Sequence, residues 1–424
     1  MSRVNLAAGA PLKLLFLAAL ATVAYLPALT QPFIEDDYPI IALSRSYGPI
    51  DGWAKMAEDP VNRVRATTFV LTHWIEALFG LNPVAFYSVS LLLHIFNCWL
   101  VFALGRWQPI GYRVSFWAAA FFAIYEGHQE AVMWYAAANE LLLFFFGAIC
   151  FISWLLFRER QHWRWLLSSL IFFLLALLSK ESSIIFVPLL AVPLLNKTGA
   201  KRLGLLLPFG LLAGIYVFQI MQTRDQSFRF HDQSFVLSAP FWETWLKGFF
   251  ALLLPWGWLA IISLVFWKQG KPILRLAMVW ISFSFIPYMF VDYVHSIPSR
   301  QTYLASLGLA LVVGAALTVL KDRTQQSRGW LVRIVLATIL VHNVGYLWLV
   351  KHQQFLLRAQ PTEQLIAFTR RASGRIYVRC FPRPQIIGDA AVKLMADKPS
   401  GTLIWNEAEA REENATETFC YEPR

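Results

Sequence analysis

Long apolar runs recur along most of this chain and constrain its fold more than any other feature. A membrane-spanning helix needs about 20 predominantly apolar residues, and runs near that length return between residues 11 and 350. Charged residues make up 15% of the chain, whereas ordinary soluble domains contain about 25%. The pattern therefore predicts an all-α polytopic membrane protein rather than a soluble domain built around one core.

The predicted spans number about eleven. They are Pro11–Leu29, Ala85–Leu104, Val114–Tyr125, Leu141–Phe157, Trp165–Leu178, Ile184–Leu195, Leu203–Met221, Leu246–Trp267, Leu274–Val291, Tyr303–Leu320 and Trp330–Val350. The first run lacks a small-residue cleavage site and is followed by further spans. We therefore interpret it as a retained helix and not as a secretion signal.

Basic residues cluster in alternate, short connections between these runs. These residues are Arg106 and Arg113; Arg158, Arg160 and Arg164; Lys197, Lys201 and Arg202; Lys268, Lys271 and Arg275; and Lys321, Arg323, Arg328 and Arg333. Short cytoplasmic loops are enriched in Lys and Arg, so the alternation predicts a cytoplasmic N-terminus. The net charge of +11 is concentrated in these loops, which argues against nucleic-acid binding.

The remaining connections are then predicted to face outward, and they contain most of the acidic residues. They are Thr30–Val84, Glu126–Glu140, Lys180–Ser183, Gln222–Trp245 and Asp292–Thr302, with the histidines His73, His128, His231 and His295. The first is about 55 residues long, and loops of that length are usually functional or separately folded. Any chemistry is predicted to lie on this outer side.

Residues 351–424 differ in composition from the rest of the chain. The stretches GRIYVRCF and GTLIW alternate like strands, and QIIGDAAVKLMADKP between them indicates a short helix. We therefore divide the chain into a transmembrane catalytic domain, residues 1–350, and a small extracytoplasmic α/β domain, residues 351–424. A disulfide between Cys380 and Cys420 would fit an oxidising compartment, and two free thiols are the alternative.

Three consecutive acids, Glu35, Asp36 and Asp37, follow the first span in the stretch QPFIEDDYPI. Adjacent side chains on a regular backbone point in different directions, so one aspartate can face a pocket while the other caps a helix or binds a cation. Close carboxylates also raise each other's proton affinity, which suits a general base or a pair of metal ligands. The alternative is an ordinary solvated helix end.

Isolated cations on the outer side are candidate phosphate ligands. Arg65 lies in the first loop, and a guanidinium matches phosphate oxygens bidentately, although anchoring to lipid headgroups is the commoner role. Lys180 and Glu181 interrupt two apolar runs in LLSKESSIIF and are expected to pair or to face a polar cavity. Arg300 begins a span at its outer end, where arginine is less common than at inner ends.

The stretch YEGHQEAVMWYAAANE joins the third and fourth spans. If it is helical, Glu126 and Glu130 share a face and His128 lies on a neighbouring one. A zinc site on His128 with two acids is one interpretation, although no further His or Cys lies nearby in the sequence. Trp134 and Tyr135 are interpreted as part of an interfacial aromatic belt.

The order of several motifs resembles the GT-C glycosyltransferases, in particular the membrane O-mannosyltransferase branch that often carries tetratricopeptide repeats. The similar segments are FIEDDYPII, LFGLNPVAFYSVSLLLHIFNCWLVF, GHQEAVMWYAAANELLLFFFGAICF, LLSKESSIIFVPLL and IPSRQTYLASLG. Together they span about residues 30–315 in the order found in that branch. The chain departs from the branch at Tyr125–Glu126, where His-Pro is usual, at Gln301, where tyrosine is common, and in its α/β tail, where repeats would follow.

The resemblance implies a membrane glycosyltransferase that moves a sugar, such as mannose, from a polyprenyl-phosphate carrier to an acceptor hydroxyl on the extracytoplasmic face, with inversion. Asp36 or Asp37 would be the base, with a slight preference for Asp37. Arg300, Lys180 and Arg65 would hold the donor phosphate, because cations stabilise charge on a leaving group.

The same resemblance implies that Glu130, His128 and Glu181 orient the acceptor or a metal. No cofactor is assigned, and a divalent metal held by Asp36, Asp37 or His128 is the alternative. The acceptor could be a protein, a glycan or a lipid, and the polyprenyl tail would lie in a groove open to membrane lipids.

Two other functions fit a polytopic chain of this kind. A multi-pass transporter or flippase for a lipid-linked sugar would carry charges or Gly/Pro breaks at mid-membrane in paired halves, whereas no internal repeat is visible here. A non-catalytic assembly subunit on the same fold is the second alternative. The compact chain with short loops favours a bacterial inner or plasma membrane.

Overall fold

The computed structural model describes residues 9–48, 50–59, 62–194, 200–222, 240–289, 298–324, 329–413 and 415–423, and these residues are mainly α-helical. The helices before residue 200 are α1 (Ala10–Tyr25), α2 (Asp37–Tyr47), α3 (Ile50–Glu58), α4 (Ala66–Phe79), α5 (Pro83–Ala103), α6 (Gly111–Ile124), α7 (Gln129–Met133), α8 (Ala138–Arg160), α9 (Trp163–Leu177) and α10 (Phe186–Ala191). The helices after residue 200 are α11 (Leu207–Gln222), α12 (Phe241–Leu253), α13 (Trp256–Phe266), α14 (Lys271–Phe285), α15 (Ser306–Thr324), α16 (Gly329–Tyr346), α17 (His352–Arg371), α18 (Gln385–Met395) and α19 (Glu407–Glu412).

The protein is an integral membrane protein. Among the described residues, the helices long and apolar enough to cross a membrane are Ala10–Thr30, Pro83–Arg106, Tyr135–Arg160, Leu203–Gln222 and Gly329–Arg371. The pair α12 and α13 is a further candidate, but it bends by 79° at Pro255, which has no N–H to continue the helix. Every predicted run overlaps a helix, yet several of these helices are too short to span, so the count of eleven is not confirmed.

The core of the bundle is organised around α15, which is buried along most of its length. This helix packs against α6, α13 and α14. A side chain at Gly314 would lie 2.6 Å from backbone atoms of Val114 and Ala118 on α6. The absence of a side chain therefore lets the two helices approach closely, as small residues do between membrane helices.

Helix α16 continues into α17 through one π-helical turn, Leu347–Lys351. The domain boundary predicted after residue 350 therefore falls within a continuous helical segment. The strands β1 (Ile376–Cys380) and β2 (Leu403–Ile404) coincide with the two predicted ones. A third strand, β3 (Glu417–Cys420), was not predicted from the sequence. The three strands form a parallel sheet with the order β2-β1-β3.

The C-terminal segment lies directly against the start of the chain's first loop. Helix α18 packs on both α17 and α2, and α2 begins at Asp37. A disulfide joins Cys380 at the end of β1 to Cys420 at the end of β3, with 4.6 Å between their Cα atoms. Helices α17 and α18 thus lie beside the acidic residues that follow the first span.

Candidate active site

The backbone turn at Ile34–Asp37, here called the acidic turn, directs its two aspartates to different environments. Asp37 is fully buried, and its carboxylate accepts hydrogen bonds from the backbone N–H of Ile34 (2.9 Å), the hydroxyl of Tyr87 (3.1 Å) and the backbone N–H of Ala136 (2.7 Å). Both carboxylate oxygens are therefore occupied. Asp37 ties the first loop to α5 and to the segment before α8.

Burial raises the pKa of Asp37 to about 7, and the donors from Ile34, Ala136 and Tyr87 oppose that rise. Loss of hydration disfavours a carboxylate, whereas hydrogen bonds donated to it favour the charged form. The carboxylate has no exposed surface through which to reach a substrate. Its surroundings are those of an anchor for the loop.

Asp36 has the opposite environment. Its side chain is exposed, and its carboxylate makes no hydrogen bond or ion pair with any residue that the structure describes. Partial desolvation and the Glu35 carboxylate raise the pKa of Asp36, and the guanidinium groups of Arg300, Arg358 and Arg383 oppose them. The open aspartate of the pair thus lies within the electrostatic range of three arginines.

Glu35 adopts φ = +47°, a left-handed conformation that costs a non-glycine residue roughly 1–2 kcal/mol. Its carboxylate binds Arg358 through Nη2 at 2.5 Å and Nε at 3.3 Å, and it binds Arg383 through Nη2 at 2.9 Å. Charge-assisted pairs of this kind are the stronger class of hydrogen bond. The two arginines stabilise the turn that separates Asp36 from Asp37.

The guanidinium groups of Arg300 and Arg358 lie near the indole ring of Trp134. The Cζ atoms of Arg300 and Arg358 lie 4.9 and 4.6 Å from the ring centroid, within the range of cation–π attraction. Glu130 joins the same two arginines, with 3.5 Å to Nη1 of Arg300 and 3.9 Å to Nη1 of Arg358. Trp134 is buried within the protein, so its interpretation as part of a membrane-interface belt was wrong, as was that of the buried Tyr135.

The predicted cation Lys180 is buried and forms an ion pair with Glu140 of α8. The ring of Tyr288 lies 5.2 Å from its ammonium group, and the Tyr288 hydroxyl hydrogen-bonds the hydroxyl of Ser182 at 3.0 Å. Burial lowers the pKa of Lys180, the guanidinium groups of Arg65 and Arg300 lower it further, and Glu140 opposes them. Cations from distant parts of the sequence therefore act on the Lys180 ammonium.

Arg65 pairs with Glu181 at 2.8 Å, and both side chains are partly exposed. The two residues are 116 positions apart in the chain, and each belongs to a short 3₁₀ helix, Arg63–Arg65 and Glu181–Ile185. The structure thus brings Glu181 to a phosphate-site candidate, Arg65, rather than to Glu130. Glu181 and Glu130 hold different arginines.

His128 belongs to the protein core. It is fully buried, its Nε2 lies 2.6 Å from the hydroxyl of Ser306, and its ring contacts Phe122 and Tyr303. Burial lowers the pKa of His128 well below its ordinary value. Across the described ranges no group of three or more His, Cys, Asp or Glu side chains could hold a metal ion, and His231 and His295 lie outside those ranges.

Glu126 and Glu130 do not share a face, because Glu126–His128 forms a 3₁₀ turn before α7. Glu126 lies 3.8 Å from Nε2 of His342 on α16, whereas Glu130 accepts a hydrogen bond from the backbone N–H of Arg300 at 3.1 Å. The zinc site considered for His128 with two acids is therefore not formed.

The His-x-x-Asn pair of α5 positions the segment after Arg300. His94 Nδ1 lies 2.8 Å from the hydroxyl of Tyr303, and Asn97 donates to the same hydroxyl at 3.2 Å. All three side chains are fully buried. This motif fixes Tyr303, which lies three residues after Arg300 and three before the start of α15.

Two residues of the site, Arg358 and Arg383, were not among the sequence-based candidates. Arg358 lies on α17 and Arg383 in the connection between β1 and α18, in the region predicted to be a separate domain. Their partner Glu35 is more than 300 positions away in the chain. The only sequence signal was the basic content of these segments, which also fits an ordinary solvated surface.

The same arrangement of helices occurs in solved structures of membrane enzymes. ArnT from Cupriavidus metallidurans, in a crystal structure bound to undecaprenyl phosphate, superposes with a TM-score of 0.56 at 14% identity, over 97% of this chain and 90% of that one. The oligosaccharyltransferase AglB from Archaeoglobus fulgidus, in complex with an inhibitory peptide and a dolichol-phosphate, has a TM-score of 0.55 at 11% identity, over 96% and 65%. The chain therefore shares the fold of ArnT and of the oligosaccharyltransferase AglB.

The GT-C resemblance expected from the motif order is thus confirmed at the level of the fold. One curated relative, the protein O-mannosyl-transferase Tmtc1 of Drosophila melanogaster, is 26% identical over an alignment of 181 residues, and the match covers 39% of this chain. The match covers about a fifth (21%) of the length of Tmtc1. No family model matches the sequence.

Proposed function

We propose that this protein is an inverting glycosyltransferase that moves a hexose such as mannose from a polyprenyl-phosphate carrier to an acceptor hydroxyl. The observation that carries the proposal is Asp36: an exposed carboxylate without a direct partner among the described residues, in the field of three guanidinium groups. A general base needs an accessible carboxylate, and a leaving phosphate needs cations beside it. Both are present within one site.

In the proposed reaction the acceptor oxygen attacks the anomeric carbon while Asp36 takes the hydroxyl proton. The bond between the anomeric carbon and the phosphate oxygen breaks, and its electron pair leaves with the polyprenyl phosphate. Arg300 stabilises the added charge, supported by Lys180 and Arg65. One displacement inverts the anomeric centre, and no acid is required because the leaving group is already a phosphate.

Because the Asp36 carboxylate is accessible, we propose Asp36 as the base instead of Asp37, which the sequence had slightly favoured. Asp37 is proposed instead to hold the turn, because both of its oxygens are occupied. Glu130 and Glu181 are proposed to hold arginines in place, rather than to orient the acceptor. The acceptor is a protein, glycan or lipid hydroxyl, and no metal is assigned.

The structural neighbours support a lipid carrier, since ArnT binds undecaprenyl phosphate and AglB binds a dolichol-phosphate. The basic loops support a cytoplasmic N-terminus, and we propose that the acidic turn and residues 351–424 lie on the extracytoplasmic face. We propose a bacterial inner or plasma membrane as the location.

The test is a transfer assay on purified protein in detergent, with polyprenyl-phosphate mannose as donor and membrane extracts as the source of acceptor. We expect release of polyprenyl phosphate, loss of that release in Asp36→Asn, and full release in the control Asp397→Asn, which changes another exposed aspartate. The configuration of the product linkage, read by NMR, reports inversion.

A flippase would give a different result. In vesicles, a fluorescent lipid-linked sugar would change leaflet without any cleavage of the sugar–phosphate bond. An assembly subunit would give neither cleavage nor translocation. Translocation without cleavage, or inactivity with each polyprenyl-phosphate hexose supplied, would contradict the proposal.

A further inference from the structure

Five charged side chains of alternating sign form a row beside Asp36, here called the ionic row. In order of contact they are Arg300, Glu130, Arg358, Glu35 and Arg383. Each glutamate lies between two arginines, and the three guanidinium groups outnumber the two carboxylates. The row therefore carries one excess positive charge, which complements the single negative charge of a phosphodiester.

The middle arginine of this row, Arg358, has the same two supports as Arg300. Both guanidinium groups lie against the Trp134 ring and both contact Glu130. Arg383 instead contacts Glu35 and the backbone carbonyl of Arg358. Arg300 and Arg358 are thus a matched pair, held by one aromatic plane and one shared carboxylate.

Both side chains of this pair remain partly accessible, with exposures of 29% for Arg300 and 26% for Arg358. Glu130 offsets the repulsion between the two guanidinium groups while no anion is bound. Guanidinium groups donate in a planar fork that matches phosphate oxygens. Two such groups that share the Trp134 ring and the Glu130 carboxylate can bind one phosphate from two directions.

We propose that Arg358 is a second phosphate-binding residue, delivered to the site by the C-terminal helix α17, and that it clamps the polyprenyl phosphate together with Arg300. The inference rests on the proposed function and adds a residue to it. It also makes the segment after residue 350 part of the site. Arg383 is a positioning residue, because it acts on the phosphate through Arg358, and Glu35 is the carboxylate that competes with the phosphate for Arg358.

The proposal is tested by binding rather than by transfer, with a short-chain polyprenyl phosphate and the corresponding uncharged polyprenol as probes. We expect the full-length wild-type protein to prefer the phosphate. Arg358→Gln should weaken phosphate binding by roughly tenfold or more, because it removes a charge-assisted contact, and should leave polyprenol binding unchanged. The matched control is Arg371→Gln, an exposed arginine on the same helix.

Two further variants separate a ligand from a structural arginine. Glu35→Gln should bind the phosphate at least as tightly as wild type, because it leaves Arg358 in place and removes a competing carboxylate. Arg358→Lys, which keeps the charge but not the fork, should give an intermediate loss. Thermal unfolding of each variant in detergent checks that the variants are folded.

The outcomes distinguish this inference from the function it rests on. If wild type does not prefer the phosphate over the polyprenol, the proposed function fails and the inference fails with it. If wild type prefers the phosphate and folded Arg358→Gln or Arg358→Lys binds equally well, the inference alone is overturned. An equal loss in Glu35→Gln and Arg358→Gln would also overturn it, because Arg358 would then act only by holding the acidic turn.

Discussion

Replacing each of the two adjacent aspartates by asparagine should separate a catalytic defect from a structural one. Asp36→Asn changes an exposed carboxylate with no direct partner among the described residues. Its effect on the free energy of unfolding should stay within about 0.5 kcal/mol, as for surface substitutions in general. Its effect on transfer should be about 10²–10⁴-fold, the usual contribution of a general base.

Asp37→Asn removes an oxygen that the fold uses. The Asp37 carboxylate accepts from Ile34 and Tyr87 on one oxygen and from Ala136 on the other. An asparagine has one oxygen, so its NH₂ group must face at least one of the buried donors. Leaving a buried donor unsatisfied costs about 1–3 kcal/mol. The variant should therefore be less stable, and whatever activity it loses should accompany that loss of stability.

The assay pairs thermal unfolding in detergent with initial rates of polyprenyl phosphate release, measured well below the melting temperature. We expect Asp36→Asn to have the melting temperature of wild type and to be inactive. Asp37→Asn should have a lower melting temperature and keep part of the wild-type rate. The reasoning is refuted if Asp37→Asn is as stable as wild type and inactive while Asp36→Asn still transfers sugar. That outcome would assign the role of general base to Asp37.

Three further results are expected. The Glu35 carboxylate raises the pKa of Asp36 and the Arg383 guanidinium lowers it. The acidic limb of the rate–pH profile should therefore move to lower pH in Glu35→Gln and to higher pH in Arg383→Gln. An acidic limb that does not move in either variant would contradict Asp36 as the base. Reducing the Cys380–Cys420 disulfide, which spans 40 residues, should lower the free energy of unfolding of the C-terminal segment by about 2–4 kcal/mol and slow transfer. Limited proteolysis with and without reductant measures the first effect, and initial rates measure the second. His128→Gln should lower the melting temperature without changing the KM for the donor; a raised KM in a fully stable variant would contradict its place in the core.

The local sequence pattern was sufficient to predict where helices and strands form, because those depend on residues that are close together in the chain. The apolar runs predicted helices at each of the eleven positions, and the tail's alternation predicted β1, α18 and β2. The predicted number of about eleven spans is not confirmed, because several of these helices are shorter than a bilayer. An apolar run indicates burial, and protein can provide that burial as well as lipid.

The site was only partly predictable because its members come from distant parts of the chain. Asp36, Glu130 and Arg300 were identified as charged residues of the predicted outer loops, and the motif order shared with a known branch supplied their expected roles. Arg358 was missed because its position depends on α16 and α17 forming one continuous helical segment of 43 residues. Nothing in the local sequence indicates that Glu35, 323 positions away, is its partner.

Residue type alone does not separate the catalytic candidates from the structural ones in this protein. His94 and His128 have side chains suited to acid–base chemistry, yet both are buried and hydrogen-bonded to the segment after Arg300. Asp36 and Asp37 are identical and adjacent, and the left-handed conformation of Glu35 divides them. Backbone donors then occupy one carboxylate and leave the other open to solvent and to the arginines. A polar group in a membrane protein must first satisfy its own hydrogen bonds, so the groups available for chemistry are those that the fold leaves unsatisfied beside water.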